Sequence, residues 1–305
     1  MIASYSICSS TLLLVNKYVL QSFPVPSTIL ATQCFFTAFA VRCASIVFPN
    51  QNVETMSKAD FRLFVVVVIC FVGTLFSNAK ALQYTNVDTV IGLRLTMPLI
   101  TCVLEYLFLG RQLPNTRSAL ALFGVAGSFS FYIMENGSLP FRSVFWLGLW
   151  YSWTIFEGIF LKHVVTVSRL STMSKTYYLN VFSMVVFAFL ALQLESRGLQ
   201  PVTMSDAGLL AFVSHLLLLL SCFLGFGMSY FSFSLRQEVS ATTFNMVGNI
   251  CKVITLALNS VVWNLHASTA GTLSIVLCIC FTTLYSQAPM RVRREVPASE
   301  RDGGA

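Results

Sequence analysis

Charge is scarce in this sequence. Only 10% of its 305 residues are Asp, Glu, Lys or Arg, against about 25% in a soluble globular domain. So few charges exclude a water-soluble enzyme, a nucleic-acid-binding domain and a disulfide-stapled secreted module. Histidine is rarer still: His163, His215 and His266 stand far apart in the chain. No CxxC or Cys/His spacing suggests a metal site. No Ser/His/Asp arrangement, Gly-rich phosphate loop or carboxylate pair suggests catalysis. The chain therefore reads as a non-enzyme, with no cofactor and no metal. Its nine cysteines nearly all fall in apolar stretches, where they act as small apolar side chains.

What the chain has in abundance is apolar residues, 56% of the total, with a mean hydropathy of +0.75. At roughly 20 apolar residues per bilayer crossing, the length accommodates about ten helices with short connections. The expected fold class is an all-α polytopic membrane protein. Apolar runs place spans at Ile2–Leu20, Val25–Phe48, Phe61–Leu82, Thr89–Leu109, Arg117–Met134, Phe141–Leu161, Lys175–Leu194, Ala207–Ser232, Thr242–Trp263 and Ser268–Ser286. Pro24, Pro26, Pro49, Pro114 and Pro140 mark the breaks, where a missing N–H costs least. Ile2–Leu20 lacks the basic start and small-residue cleavage site of a signal peptide. Residues 1–287 form the membrane domain, and 288–305 read as a basic, disordered cytosolic tail.

The net charge of +7 does not indicate nucleic acid, because the cations are distributed between helices. One set of loops holds Lys58, Arg62, Arg111, Arg117, Lys162, Arg169, Lys175, Arg236, Arg291, Arg293, Arg294 and Arg301, and the other holds Lys80, Arg142 and Arg197. That asymmetry places both termini in the cytosol. The glycosylation sequon at Asn136-Gly137-Ser138 then faces the opposite side, too close to the membrane to be modified.

Ten helices are compatible with two inverted five-helix repeats, about 1–134 and 141–287. A faint echo supports this: Glu105-Tyr106-Leu107-Phe108-Leu109 and Asn259-Ser260-Val261-Val262-Trp263 each precede a polar turn and a helix rich in small residues.

Four cations fall inside spans. Arg42 lies near a helix end and can snorkel. Lys17, Arg94 and Lys252 each carry a cost of at least about 2.5–3.5 kcal/mol if left at the bilayer centre, so they face a cavity or a partner. Asn249, Lys252 and Asn259 fall within roughly 40° of one helix line through Asn245, with Gly248 beside it. Three amides and an ammonium on an apolar helix suggest a cavity that receives an anion, with a structural pair of Lys252 and Glu105 or Glu157 as the alternative. Arg94, Thr101 and Glu105 form a related stripe, bent at Pro98, in which Arg94 either holds a phosphate or neutralises Glu105. Lys17 reads as half of a structural ion pair, and Glu157 as a partner for a cation. Tyr177 reads as an interfacial belt residue; an aromatic beside the deeper Asn180 suits stacking on a base and reading its edge.

The motifs Asn16-Lys17-Tyr18-Val19-Leu20, Asn86-Val87-Asp88-Thr89, Leu161-Lys162-His163-Val164-Val165, Ser240-Ala241-Thr242-Thr243-Phe244 and Gly248-Asn249-Ile250-Cys251-Lys252 together resemble nucleotide-sugar transporters of the drug/metabolite transporter superfamily. The plant-type Golgi GDP-sugar branch is the nearest in pattern. The resemblance implies ten helices in two inverted repeats, and exchange of a cytosolic nucleotide sugar for a lumenal nucleoside monophosphate by alternating access. It implies a Golgi membrane location in the lipid bilayer and is compatible with a homodimer. The family's GALNK-type motif falls on Gly248–Lys252, with Cys251 where asparagine is usual. Its FYNN-type motif falls on Tyr177–Asn180, with Leu179 replacing one asparagine. Substrate contact is thereby implied for Lys252, Asn249, Gly248, Asn245, Tyr178 and Asn180, with Arg94 added from its position. Sister translocators of triose phosphate follow the lysine with arginine, whereas Val253 stands here. A triose-phosphate/phosphate translocator and a non-transporting membrane scaffold are the alternative readings.

Overall fold

The computed structural model describes residues 1–48, 52–108, 110, 112–136, 139–195, 209–245, 247–249, 251 and 269–285. Among the described residues the secondary structure is helical, with no strand. The helices are α1 (Ile2–Ser22), α2 (Pro26–Val47), α3 (Lys58–Tyr84), α4 (Val87–Leu95), α5 (Met97–Phe108), α6 (Thr116–Asn136), α7 (Phe141–Val167), α8 (Thr172–Leu194) and α9 (Leu209–Glu238). They are followed by α10, helical at 241–245, 247–249 and 251, and by α11 (Thr269–Thr283). Among the described residues, seven stretches are long and apolar enough to cross a membrane: α2, α3, α4 with α5, α6, α7, α8 and most of α9. The chain is thus a multi-pass helical protein. Large apolar side chains such as Ile46, Phe108, Met134, Phe141 and Leu192 lie exposed on its outer surface, as a bilayer-facing surface requires.

Local chemistry explains most helix ends. Pro26 opens α2 at its first turn, where its missing N–H would have no partner in any case. Ser57 and Ser171 cap α3 and α8, accepting from the N–H of Asp60 at 3.1 Å and of Ser174 at 3.2 Å. Ser57 also donates to the Asp60 carboxylate at 2.6 Å, closing a reciprocal cap. Gly110, at φ 67°, follows α5 with a left-handed residue that glycine adopts without strain.

The fourth span is interrupted. Pro98 has no N–H to give the carbonyl of Arg94, four residues earlier. The chain therefore breaks at Thr96, whose hydroxyl donates to Leu93 O at 2.7 Å and also lies 3.1 Å from the hydroxyl of Tyr151. Arg94 consequently sits in the last turn of α4, next to exposed backbone carbonyls rather than mid-helix.

Helices far apart in sequence pack in pairs: α1 on α9, α2 on α8, α3 on α7 and α6 on α11. The main core runs through α2, α3, α4, α7 and α8 around Phe64, Leu82, Ile91, Trp150 and Phe187, while Tyr5, Leu235, Phe244, Val247 and Cys251 form a smaller one between α1, α9 and α10. Hydrogen bonds tie α10 to α1: Ser10 donates to Cys251 O at 2.6 Å, and the Cys251 thiol lies 3.0 Å from the Ser6 hydroxyl.

Buried acids cap foreign helices. Glu195 at the end of α8 accepts from the N–H groups of Ser27 and Thr28, at 2.6 and 3.0 Å, and from the Thr28 hydroxyl at 2.7 Å. It fixes the start of α2. Glu105 near the end of α5 accepts from the N–H of Thr242 at 3.2 Å and from its hydroxyl, fixing the start of α10. An anion at a helix N-terminus satisfies orphan donors and the helix dipole together.

Three sequence expectations are corrected. Lys162 and Arg236 were assigned to loops, but α7 continues to Val167 and α9 to Glu238, so both lie within helices. Among the described residues Lys17 is in no ion pair: its ammonium donates to the carbonyls of Leu82 and of Thr85, the latter at 3.0 Å, at the end of α3. Lys162 does the same elsewhere, donating to Arg236 O at 2.7 Å near the end of α9. A lysine that finds a helix C-terminus inside the bundle does not need to snorkel. The expected tail, the ninth span from Lys252 on with Asn259, Ser268 and Ser286 at the ends of the tenth span, and the sequon's Gly137 and Ser138 lie outside the described residues.

Candidate functional site

A single polar stripe on each of several helices converges on one central cavity. Tyr5, Ser9 and Asn16 share a face of α1, and Thr74 and Asn78 lie one turn apart on α3; all five line the cavity. Gln33, Glu157, Asn180 and Ser229 reach it from α2, α7, α8 and α9. About 1190 Å³ within it and its open mouth is free of protein atoms, solvent at the mouth included.

The two ends of the cavity differ chemically. Near the ends of α1 and the start of α2, Gln33 donates to Asn16 Oδ1 at 2.9 Å and lies 3.0 Å from the Ser221 hydroxyl, an uncharged amide network. Toward the end of α9 the lining carries two guanidinium groups, Arg94 and Arg236, with Glu157 beside Arg236. Arg236 is only 8% exposed. Its guanidinium carbon lies 3.9 Å from the Phe244 ring centre, Nη1 donates to Gly158 O at 3.3 Å and Nε to the Ser232 hydroxyl at 3.4 Å. Neither arginine closes an ion pair among the described residues.

Several polar atoms here have no partner among the described residues: the Tyr5 hydroxyl, Thr74 Oγ1 and Asn78 Oδ1 are buried without a hydrogen bond to them. Leaving such a group dry and unpaired costs about 1–3 kcal/mol. Groups of this kind around a cavity mark where a solute or water is received.

The sequence-expected residues divide as follows. Arg94 and Asn180 line the cavity, Asn180 buried with its amide donating to Thr176 O at 2.8 Å. Gly248 is not among the lining residues but is buried against two of them at the arginine end: a Cβ there would lie 3.7 Å from Arg94 Nη2 and 3.9 Å from the Tyr5 hydroxyl. Asn245 is committed to Thr101 Oγ1 at 3.1 Å. Asn249 is 1% exposed, and neither of its amide atoms has a hydrogen-bond partner among the described residues. Lys252 lies outside the described residues. Tyr178 is not brought to the cavity. It lines a surface groove with Met56, Phe61 and Phe182, and its hydroxyl donates to Glu54 O at 2.8 Å. Leu179, which replaces a motif asparagine, is the neighbour that lines the cavity.

Arg236 and Tyr5 were missed by sequence reasoning. Arg236 was hidden by ending the eighth span at Ser232, although the apolar stretch continues to Leu235 and a cation in a helix's last turn is favoured by the dipole. Tyr5 could have been found from the Tyr5, Ser9, Asn16 face of an otherwise apolar helix.

The fold and cavity define a multi-pass membrane protein whose helices surround a polar, cation-bearing chamber. Comparison with known proteins narrows that class. Residues 1–133 match the EamA-like transporter family. Over 98% of its length the chain is 28% identical to the GDP-mannose transporter GONST3 of Arabidopsis thaliana, covering 82% of that protein. It is 26% identical to GDP-fucose transporter 1 of Arabidopsis thaliana, covering 99% of this chain and 89% of that one. One solved crystal structure shares the fold at a TM-score of 0.66 and 14% identity, covering 93% of this chain and 94% of that one; at that identity the likeness bears on the fold alone. The resemblance to nucleotide-sugar transporters of the drug/metabolite transporter superfamily, read first from motifs, thus holds along nearly the whole chain.

Proposed function

We propose that the protein is a nucleotide-sugar:nucleoside-monophosphate antiporter of the Golgi membrane. The observation that carries this reading is the two-ended cavity: guanidinium groups with no ion-pair partner among the described residues at one end, and an amide network at the other, both lining one chamber. A nucleotide sugar has that polarity, with anionic phosphates and hydrogen-bonding base and sugar. In this reading Arg94, Gly248 and Lys252 attend the phosphates, Asn245 and Asn249 shape that end from α10, and Asn180 reads base or ribose from α8. A desolvated cation in an empty cavity opposes reorientation, whereas a bound anion neutralises it, which favours exchange over unidirectional leak.

The ten-span, two-repeat arrangement is supported by a pattern in the packing. Numbering spans one to ten, with α4 and α5 as the fourth, the observed pairs are one with eight, three with six, two with seven and five with ten. Exchanging each span for the one five places away reproduces that set. The two lysines follow the same rule: Lys17 on span one bonds the end of span three, and Lys162 on span six bonds the end of span eight. They also link the same two packed units, α1 with α9 and α3 with α7, at opposite ends of the bundle. Breaking one brace while keeping the other would open one end at a time, as alternating access requires.

The reading is tested on detergent-purified protein by thermal stabilisation. Nucleoside monophosphates and their nucleotide sugars are expected to raise the melting temperature, and triose phosphate is not. Stabilisation by triose phosphate and inorganic phosphate alone would move the protein to the organellar translocators.

A further inference from the structure

We infer that Arg236, with Arg94, forms a diphosphate seat, and that Arg236 rather than a cation on α10 alone sets the preference for a diphosphate over a monophosphate or an uncharged nucleoside. The inference rests on the transport reading for its physiological ligand but not for its chemistry.

Consider what each guanidinium has left to give. A guanidinium carries five N–H donors. Arg236 uses one on Gly158 O and one on the Ser232 hydroxyl, so three are uncommitted. Arg94 spends none on the described residues. Two cations that share one buried chamber repel each other, and the nearby Glu157 offsets one charge, not two. The bundle therefore holds a net positive chamber with forked donors facing in, a geometry that matches phosphate oxygens bidentately.

Arg236 is also held in place in a way a loop cation would not be. The guanidinium carbon of Arg236 sits over the Phe244 ring, 3.9 Å from its centre, and Phe244 itself packs on Tyr5 with ring centres 5.1 Å apart. The Tyr5 hydroxyl, buried and without a partner among the described residues, lies on the Arg94 side of Gly248. A ligand oxygen there would satisfy the tyrosine and Arg94 together, while the adjoining phosphate would take the free edge of Arg236. A diphosphate can offer the oxygens of a separate phosphate group to each of the two guanidiniums that line this chamber, whereas a monophosphate has a single phosphate to divide between them.

The first test uses the wild-type full chain in nanodiscs, modified with phenylglyoxal and mapped residue by residue by mass spectrometry. Inorganic pyrophosphate is the probe. It is expected to slow modification of Arg94 and Arg236 while leaving the exposed Arg62 and Arg142 unchanged. Unaltered modification of Arg236 overturns the inference. GDP is run beside pyrophosphate: protection by pyrophosphate with no added protection by GDP would retain this seat and remove the nucleotide reading. The second test measures guanosine, GMP and GDP binding to Arg236→Gln and Arg236→Lys. The step from GMP to GDP should fall by at least about tenfold in Arg236→Gln, the scale of a charge-assisted bidentate contact, and be partly kept in Arg236→Lys, with guanosine binding unchanged in both. Retention of the full step in a folded Arg236→Gln protein refutes the assignment.

Discussion

Replacing each brace lysine by methionine keeps the aliphatic stem and removes only the ammonium. Lys162→Met deletes the 2.7 Å bond to Arg236 O, and Lys17→Met deletes the bonds to Leu82 O and Thr85 O. A hydrogen bond involving a charged group contributes about 1.5–3 kcal/mol net. With 1.4 kcal/mol per factor of ten, loss of one brace shifts the closed-to-open balance at its own end by roughly tenfold to a hundredfold. The two ends are opposite, so the variants should move in opposite directions. Hydrogen–deuterium exchange in nanodiscs reads this locally. Lys162→Met should speed amide exchange around 236–245 and leave 82–88 protected, and Lys17→Met should do the reverse. Faster exchange at the same end in both variants, or a uniform loss of protection throughout, would refute the idea that these lysines close opposite ends.

Three further outcomes follow from the geometry. Glu195→Ala strips the start of α2 of a carboxylate that accepts three hydrogen bonds; the melting temperature should fall, reflecting a loss of about 2–3 kcal/mol. Gly73→Ala places a Cβ 2.7 Å from Trp153 Cδ2 on the facing helix, an overpacking cost of about 1–3 kcal/mol, whereas Gly148→Ala, with open space at its Cβ, should leave thermal unfolding unchanged. Asn180→Ala, inside the cavity, should impair ligand stabilisation, while Tyr178→Phe, whose hydroxyl is committed to Glu54 O outside it, should leave it intact.

Helix placement was legible where one residue type dominates the local physics. Apolar runs bounded by Pro26 and Pro140 marked α2 and α7. Pro98 announced a bend, though not that Thr96 would stop the helix outright. Cations were harder. Lys17 and Lys162 sit in related motifs, yet their partners are backbone carbonyls at the ends of other helices, and a backbone acceptor leaves no mark in a sequence. Arg236 was misread for a related reason: a charge at the edge of an apolar run looks like the start of a loop until Phe244 and Gly158 are seen around it. The FYNN-type motif points to a turn of α8 that does reach the cavity through Leu179 and Asn180, but which of four successive side chains faces inward depends on the rotation of α8, set by its packing on α2. That rotation brings Leu179 and Asn180 to the cavity and leaves Tyr178 outside.

Counterflow in proteoliposomes bears most directly on the central claim. Vesicles containing the purified chain would be preloaded with GMP, UMP or buffer and offered labelled GDP-mannose, GDP-fucose or a UDP-sugar. The account predicts rapid uptake of one class of nucleotide sugar only when its matching monophosphate is inside, and little uptake into buffer-loaded vesicles. Equal uptake with and without internal monophosphate, or none from well-folded protein under any loading, would contradict it.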